Sequence, residues 1–419
     1  MSPTPLTAAL LAVIAVAIAL VGALAALAAL ALAVAVVVDA RAVRRPPAVA
    51  RELPRVLSRG VPAVLQVAAR APSAVTVTIR QAAPPDLELA PREGGGSLAA
   101  TLTARRRGRH ELPAVGTRSV GPLRLASWHH RPGEPAVVSV YPDLVAARRL
   151  VLSVRRGQFR EQGVSARGPL GLGTDFELVR DYLPDDDVRQ VNWRATARLG
   201  RPMSNQYRVE QDRDLVLLVD AGRLAAAALP IEADEARPRG TVLDATLDAV
   251  AAVALVADEV GDRCGAVAFD DEVRAAIRPG RAQGAAVVRA LFDLQPRPVD
   301  SDYELAFRRV EGAKRAFVLV LADLLEEAAA RPLVEAMPVL TRRHAVVVAS
   351  PADPALAARA PAGEGELAQA AVAVEVQAAR TRAAALVRAA GAEVVEAPSE
   401  RLARACVTAY LRAKARARV

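Results

Sequence analysis

Asp214-Leu-Val-Leu-Leu-Val-Asp220 is an uninterrupted apolar run closed at each end by an acid. A strand that alternates apolar and polar residues buries one face. A strand that is apolar throughout buries both, which is the situation inside a parallel sheet flanked by helices. The chain downstream fits that reading. Thr241–Val260 has helical character, Cys264–Phe269 reads as a strand and Ala282–Leu294 as a helix. Arg315–Leu321 is a second apolar strand ending just before Asp323. His344–Ala349 is a strand, Ala368–Ala390 a helix, Glu393–Glu396 a short strand and Glu400–Ala415 a final helix. Strands alternating with helices predict an α/β domain with a doubly wound, Rossmann-type parallel sheet over residues 213–419. Ligands of such sheets gather beyond the carboxyl ends of the strands. Asp220 and Asp323 both fall at such ends.

Upstream the pattern changes. Residues 60–150 read as short strands separated by turn residues. Ala74–Ile79, Leu98–Thr103 and Val137–Tyr141 are strand candidates, and Pro84-Pro85-Asp86 and Gly94-Gly95-Gly96 break the chain. Short strands at this spacing predict a small antiparallel β-sandwich. Arg105-Arg106-Arg107-Gly108-Arg109 reads as a solvated hairpin tip, with contact to anionic lipid headgroups as the functional alternative. Residues 151–212 join the two regions.

From Leu6 to Val38 there is no charged residue. That is longer than the apolar core of a signal peptide, about 7–15 residues, and long for a single span of about 20. Either one tilted helix crosses a membrane or the run folds into a hairpin near Gly22. Residues 1–40 are thus a transmembrane anchor, and residues 41–59 a basic juxtamembrane linker. No Lys or Arg precedes Arg41, whereas Arg41, Arg44, Arg45, Arg51, Arg55 and Arg59 follow closely. The positive-inside rule then puts the chain in the inner (plasma) membrane with residues 41–419 in the cytoplasm, in both arrangements.

Composition narrows the function classes. At 419 residues the chain has room for two or three domains and a full core. Two cysteines, Cys264 and Cys406, exclude a disulfide scaffold and fit free thiols in a reducing compartment. The net charge of +9 is carried almost wholly by arginine, since Lys314 and Lys414 are the only lysines. Those arginines are scattered among acids, and aromatics make up only 3%. A nucleic-acid surface combines clustered cations with stacking partners, so no nucleic-acid role follows.

The join between the two soluble regions is the densest cluster of charge and aromatic character. It reads Arg180-Asp-Tyr-Leu-Pro-Asp-Asp-Asp-Val-Arg189-Gln-Val-Asn-Trp193-Arg-Ala-Thr-Ala-Arg198. Arg180, Tyr182, Pro184, Asp186, Asp187, Arg189, Trp193, Ala197 and Arg198 match the hallmark segment of the DUF58 family of bacterial proteins, which this chain resembles. Asp185 stands where the family has glycine, a change that a turn tolerates. The resemblance implies a membrane anchor, a β-rich middle and a C-terminal domain similar to von Willebrand factor type A (vWA) domains. It also implies neighbourhood to MoxR-type AAA+ ATPases, hence a chaperone-like or assembly role. Physically, guanidinium groups fork to carboxylates and stack on aromatic faces. The segment therefore reads as a clasp between the sandwich and the α/β domain that buries Trp193, or as a surface for a protein partner.

Catalytic chemistry has no comparable signal. Gly168–Gly173 lacks the Gly-Lys-Ser/Thr of a phosphate-binding loop, and no His-Glu-x-x-His occurs. Cys264 sits in an apolar strand and reads as core. The resemblance to vWA domains does imply a divalent-metal site, built from Asp-x-Ser-x-Ser after the first strand, a residue from a second loop and an Asp from a third. Here the first motif is Asp220-Ala-Gly222-Arg-Leu224, so both serines are gone, while Ser301 and Asp323 stand for the other loops. Mg²⁺ seeks near-octahedral oxygen coordination. The expectation is a non-enzymatic, membrane-anchored scaffold or adaptor without a required cofactor, with weak Mg²⁺ binding left open. The alternative is a metal-dependent ligand-binding module at Asp220, Ser301 and Asp323.

Overall fold

The structure is a computed structural model that describes residues 2–72, 74–158, 170–183, 191–208, 214–229, 240–310, 315–325, 327–352 and 367–416. Contacts divide it into two units, Met1–Tyr141 and Pro142–Val419.

The first unit opens with two apolar helices, α1 (Pro5–Val21) and α2 (Ala23–Val43). Alanine and leucine, the best helix formers, dominate both. The break is at Gly22, whose φ of 61° lies in the left-handed region that glycine enters without steric cost. Both outer ends of the pair return to the strand Ala126–His130. Ser2 and Pro3 pair with Ser127 and Ala126, and the Thr4 hydroxyl donates to the Arg124 carbonyl at 2.8 Å. At the far end of α2 the Asp39 carboxylate accepts from the backbone N–H groups of Leu123, Leu125 and Ala126, each at 2.8 Å. The His130 ring bonds the Val43 carbonyl at 2.8 Å. Of the two arrangements the sequence permits, the helical hairpin is the one formed. At about 1.5 Å per residue the arms are about 26 and 32 Å long. Leu24–Val43 is long and apolar enough to cross a membrane, and Pro5–Ala17 is a shorter apolar helix.

Behind the hairpin, short strands form three sheets. One orders 48–52, 63–70, 97–104 and 87–90, and a second joins 56–58, 136–141 and 108–112. The third, which Ser2–Pro3 extends, holds 126–130, 116–120, 76–80 and 93–94. Strand alternation does the sorting. Along Ser97–Ala104 the buried residues are Leu98, Ala100, Leu102 and Ala104, and they meet Leu65, Val67, Leu112, Val138 and Val140 in one core. The three expected strands appear at Thr76–Arg80, Ser97–Ala104 and Ala136–Tyr141.

Three expectations need correction here. Residues 41–59 are not a free linker, because 48–52 and 56–58 are strands of this unit. Arg51 is spent inside it, donating to the Pro113 and Glu134 carbonyls at 2.9 and 2.7 Å. The unit ends at Tyr141 rather than 150, since the chain then enters a helix of the second unit. Arg105–Arg109 is not a solvated tip, because Arg107 is buried and Arg105 pairs with Glu88.

The second unit is a mixed α/β fold. Its main sheet has strands β1 (Asp214–Asp220), β2 (Arg263–Phe269), β3 (Val273–Gly280), β4 (Ala316–Leu321), β5 (Ala345–Ala352) and β6 (Glu393–Pro398). They lie in the order β3-β2-β1-β4-β5-β6, all parallel except the antiparallel edge strand β3. β1 is central, so its residues are buried from Leu215 to Asp220. The helices are α3 (Leu144–Arg155), α4 (Trp193–Leu199), α5 (Val242–Val260), α6 (Gly284–Leu291), α7 (Tyr303–Arg308), α8 (Glu327–Thr341), α9 (Leu367–Ala389) and α10 (Ser399–Arg416). α5, α6 and α10 cover one face of the sheet, and α7, α8 and α9 the other. α5 starts where the sequence implies, at Thr241, whose backbone N–H donates to Asp244 at 2.8 Å. α3 runs along α5. Its start is held by the Asp143 N–H on Asp248 at 2.7 Å, and its end by a two-pronged Arg155–Glu259 pair at 2.8 and 2.7 Å.

Candidate functional site

The hallmark segment forms a β-hairpin, Leu170–Asp181 with Met203–Arg208, carrying α4 beside its end. Asn192 caps α4 by accepting the Ala195 N–H at 2.9 Å, and its amide reaches Asn205 at 2.7 Å. One turn on, the Thr196 hydroxyl accepts the Met203 N–H at 3.0 Å. Asn192 and Thr196 lie four apart, so one side of this short helix is spent on the hairpin. Trp193 faces elsewhere and is 70% exposed. The expectation of a buried clasp tryptophan is thereby corrected. Leu183 and Leu199 are also exposed, as are Arg194 and Arg198. Arg180 is half-buried and donates to the Asp181 carbonyl at 2.8 Å. Tyr182 is half-buried, its N–H held by the Pro202 carbonyl at 3.0 Å. Pro184, Asp186, Asp187 and Arg189 lie outside the described residues.

At the carboxyl edge of the sheet, Asp220 is an acceptor with every partner internal. Its Oδ1 receives the Gly222 N–H at 2.8 Å and the Ser301 hydroxyl at 2.5 Å, and its Oδ2 receives the Tyr303 hydroxyl at 2.5 Å. Burial, with the Asp220 charge beside it, holds the Tyr303 phenol well above its ordinary value, so it stays a proton donor. Its ring packs edge-on against Phe269 at 5.3 Å. The glycine at 222 has a steric reason. A Cβ there would lie 2.2 Å from Ser301 Oγ and 2.8 Å from the Val299 carbonyl oxygen. Leu224 and Ser301 line a small cavity of about 140 Å³ beside Asp220, and Arg223 on its rim pairs with Asp300.

Asp323 is closed in a different way. Arg380, on α9, places its guanidinium 3.1 Å from Asp323 Oδ1 and 3.1 Å from Ser350 Oγ, and also donates to the Pro351 carbonyl. Ser350 in turn donates to Asp323 at 3.3 Å and accepts the Leu324 N–H at 3.0 Å. The Arg380 and Asp323 side chains are 6% and 5% exposed. Burial nevertheless dominates and pushes the Asp323 carboxyl above its usual range, with the Arg380 charge opposing and Asp220 adding to the rise. The structure therefore brings Asp220, Leu224 and Ser301 together around one small cavity, sets Gly222 against Ser301, and pairs Asp323 with a fixed cation.

Three contributors to these sites escaped the sequence reading. Asn192 carried a legible signal, a capping residue immediately before the Trp193 helix. Tyr303 lies two residues past Ser301 but gave no pattern of its own. Arg380 comes from a helix 57 residues after Asp323, and nothing local announces it.

The fold and site define a mixed α/β protein with an N-terminal apolar helix, an exposed tryptophan on the helix of its hairpin segment and an internally hydrogen-bonded acidic pole. A family model described as "Protein of unknown function DUF58" matches residues 178–396, more than half of the chain, and the chain belongs to that family. Among curated relatives, Uncharacterized protein Rv1480 of Mycobacterium tuberculosis is 28% identical over 196 residues, 44% of this chain and 58% of its own. Uncharacterized protein Mb1516 of Mycobacterium bovis matches to the same extent. The matched stretch thus spans little more than half of those relatives. An uncharacterized membrane-spanning protein from Vibrio fischeri, known by crystal structure, is 14% identical with a TM-score of 0.16, over 48% of this chain and 98% of that one.

Proposed function

We propose that this protein is a membrane-anchored docking module that works through protein contacts rather than chemistry, with the hallmark hairpin as its recognition face. The observation that carries the reading is Trp193, 70% exposed on a short helix that is itself pinned to the hairpin. A large, rigid, exposed aromatic in a segment that also exposes Leu183, Leu199, Arg194 and Arg198 has the composition of a binding hot spot, where Trp and Arg are enriched. A lone exposed leucine needs no explanation, but an exposed tryptophan in a segment with two further exposed leucines does. The partner class that family resemblance suggests is a MoxR-type AAA+ ATPase, in a chaperone-like or assembly role.

The strand order of the sheet, with its antiparallel edge at β3, supports reading the second unit as vWA-like. On that reading the metal pole has been replaced. Arg380 supplies the positive charge at Asp323, and Gly222 leaves no room for a serine. Those two observations weigh against the metal-dependent alternative. The anchor is the α1–α2 hairpin, whose outward surface carries exposed Leu10, Leu11, Val13, Val16, Leu24, Leu27 and Leu30. Water disfavours so continuous an apolar surface, and lipid does not. With both ends of the hairpin on one side, the arginines after α2 support reading residues 41–419 as cytoplasmic.

Direct binding of purified MoxR-type ATPase to the detergent-solubilised chain, compared between wild type and Trp193→Ala, tests the docking claim. For the orientation, a cysteine replacing exposed Glu134 should be protected from an impermeant thiol reagent in intact cells. The native Cys264 and Cys406 are buried and leave no background. Ready labelling of intact cells would refute the cytoplasmic placement.

A further inference from the structure

At the amino-terminal edge of the main sheet, opposite the Asp220 and Asp323 pole, a cavity of about 370 Å³ opens between the starts of β4 and β5 and the end of α10. Its charged lining is Asp262, Arg315, Arg342, Arg343, His344 and Lys414. The acid is already matched. Asp262 bonds Lys414 Nζ at 2.7 Å and accepts the Tyr410 hydroxyl, and both ends of this ion pair are buried. That leaves three exposed guanidinium groups on one rim. Arg315, Arg342 and Arg343 have no ion-pair partner among the described residues.

His344 supplies a second, independent observation. It is 7% exposed, and its Nδ1 accepts the Ala316 N–H at 3.2 Å. An imidazole that accepts at Nδ1 carries its proton at Nε2 when neutral. That Nε2 is buried and has no hydrogen-bond partner. Burial, reinforced by the Arg343 charge, pushes the ring below its ordinary value, which favours this neutral tautomer at pH 7. An unpaired buried donor costs about 1–3 kcal/mol, and His344 is one of the residues that line this cavity.

We propose that this cavity binds a small molecule through a phosphate group. One N–H donor and three guanidinium forks offer more donors than two carboxylate oxygens use. A phosphate monoester brings three acceptor oxygens and a charge of about −1.5 to −2 at pH 7. The volume lies in the range of small-ligand sites, about 300–1,000 Å³, so there is room for an organic part beyond the phosphate. Phe317, Ala345 and Ala413 provide the apolar lining it would meet. The site is independent of the docking face on the hairpin and stands or falls separately.

The test uses the full chain in detergent micelles at low salt. Inorganic pyrophosphate and phenyl phosphate are titrated calorimetrically, with acetate as the carboxylate arm. Saturable binding of either phosphate, one per chain, is expected, weakened by about tenfold or more in Arg342→Gln/Arg343→Gln. Both side chains are exposed, so this variant should fold, and unchanged melting verifies it. Arg401→Gln/Arg404→Gln, exposed on α10 away from the lining, should bind like wild type. The His344 ring, followed by NMR, should titrate at higher pH when pyrophosphate is present. Absence of saturation by millimolar phosphate, equal affinity of the Arg342/Arg343 variant, or acetate binding as tightly as pyrophosphate would each overturn the proposal.

Discussion

Replacing Arg380 by methionine probes the idea that an internal cation closes the acidic pole. The methionine keeps much of the apolar stem and removes the guanidinium. Asp323 is then a buried carboxylate with the Ser350 hydroxyl donating to it at 3.3 Å and the Asp220 charge nearby. Removing one partner of a buried pair costs about 3–5 kcal/mol. At about 2–4 °C per kcal/mol, the thermal midpoint should fall by roughly 6–20 °C. Arg382→Met, two residues along α9, is the control. Its pair with Glu375 is exposed on both sides, so the loss should stay within about 1 kcal/mol. The pH dependence has a definite sign. The folded Asp323 carboxyl lies above its unfolded value, so the folded state binds this proton more tightly and the group's contribution to stability falls as pH rises between the two values. Loss of Arg380 raises the folded value further. The gap between Arg380→Met and wild type should therefore narrow as pH is lowered from neutral toward the carboxylate range. Arg380→Met/Asp323→Leu should recover most of the loss, because an apolar replacement of a buried pair is often neutral. The assay is unfolding of the purified chain followed by near-ultraviolet circular dichroism. A single variant that melts within about 2 °C of wild type at pH 7 would refute the reasoning, since it corresponds to about 1 kcal/mol or less.

Gly222→Ser supplies the serine that the proposed vWA-like reading would have there, but forces a Cβ to 2.2 Å from Ser301 Oγ. It should destabilise by about 1–3 kcal/mol in a melt, as overpacking does. Calorimetric titration of wild type with Mg²⁺ or Mn²⁺ should show no micromolar binding at the Asp220 pole, and micromolar binding abolished by Asp220→Ala would revive the metal-dependent reading. Asp39→Ala strands three N–H groups of Leu123, Leu125 and Ala126, so the first unit should lose about 3 kcal/mol or more, read as faster limited proteolysis of that unit.

The parallel sheet was legible because its central strands are buried on both faces, which makes Leu215–Val219 and Ala316–Leu321 apolar throughout. Edge and cover elements were harder. β3 alternates exposed and half-buried residues and contains Pro279, so it carries no strong strand signal. α8 contains Pro332 and Pro338, which conceal a helix from a pattern reading. Strands 48–52 and 56–58 were hidden beneath a run of arginines that reads as a membrane flank, although Arg51 donates to carbonyls within the first unit. The acidic ends of β1 and β4 could be read directly, as could the loss of the two serines. Their closure could not, because Tyr303 and Arg380 reach Asp220 and Asp323 from 83 and 57 residues away. Trp193 was legible as important but not as exposed, since exposure depends on Asn192 and Thr196 taking the inner side of α4.

The most direct test of the docking account is Trp193→Ala measured two ways on the same preparation, by melting and by affinity for a purified MoxR-type ATPase. At 70% exposure the truncation should leave the midpoint within about 2 °C of wild type, since exposed substitutions cost about 0.5 kcal/mol or less. A hot-spot tryptophan is worth about 2 kcal/mol or more, so affinity should fall by about thirtyfold. Unchanged melting with thirtyfold weaker binding is the predicted result. Unchanged binding, or a midpoint lowered by the several degrees that a buried clasp requires, would contradict it.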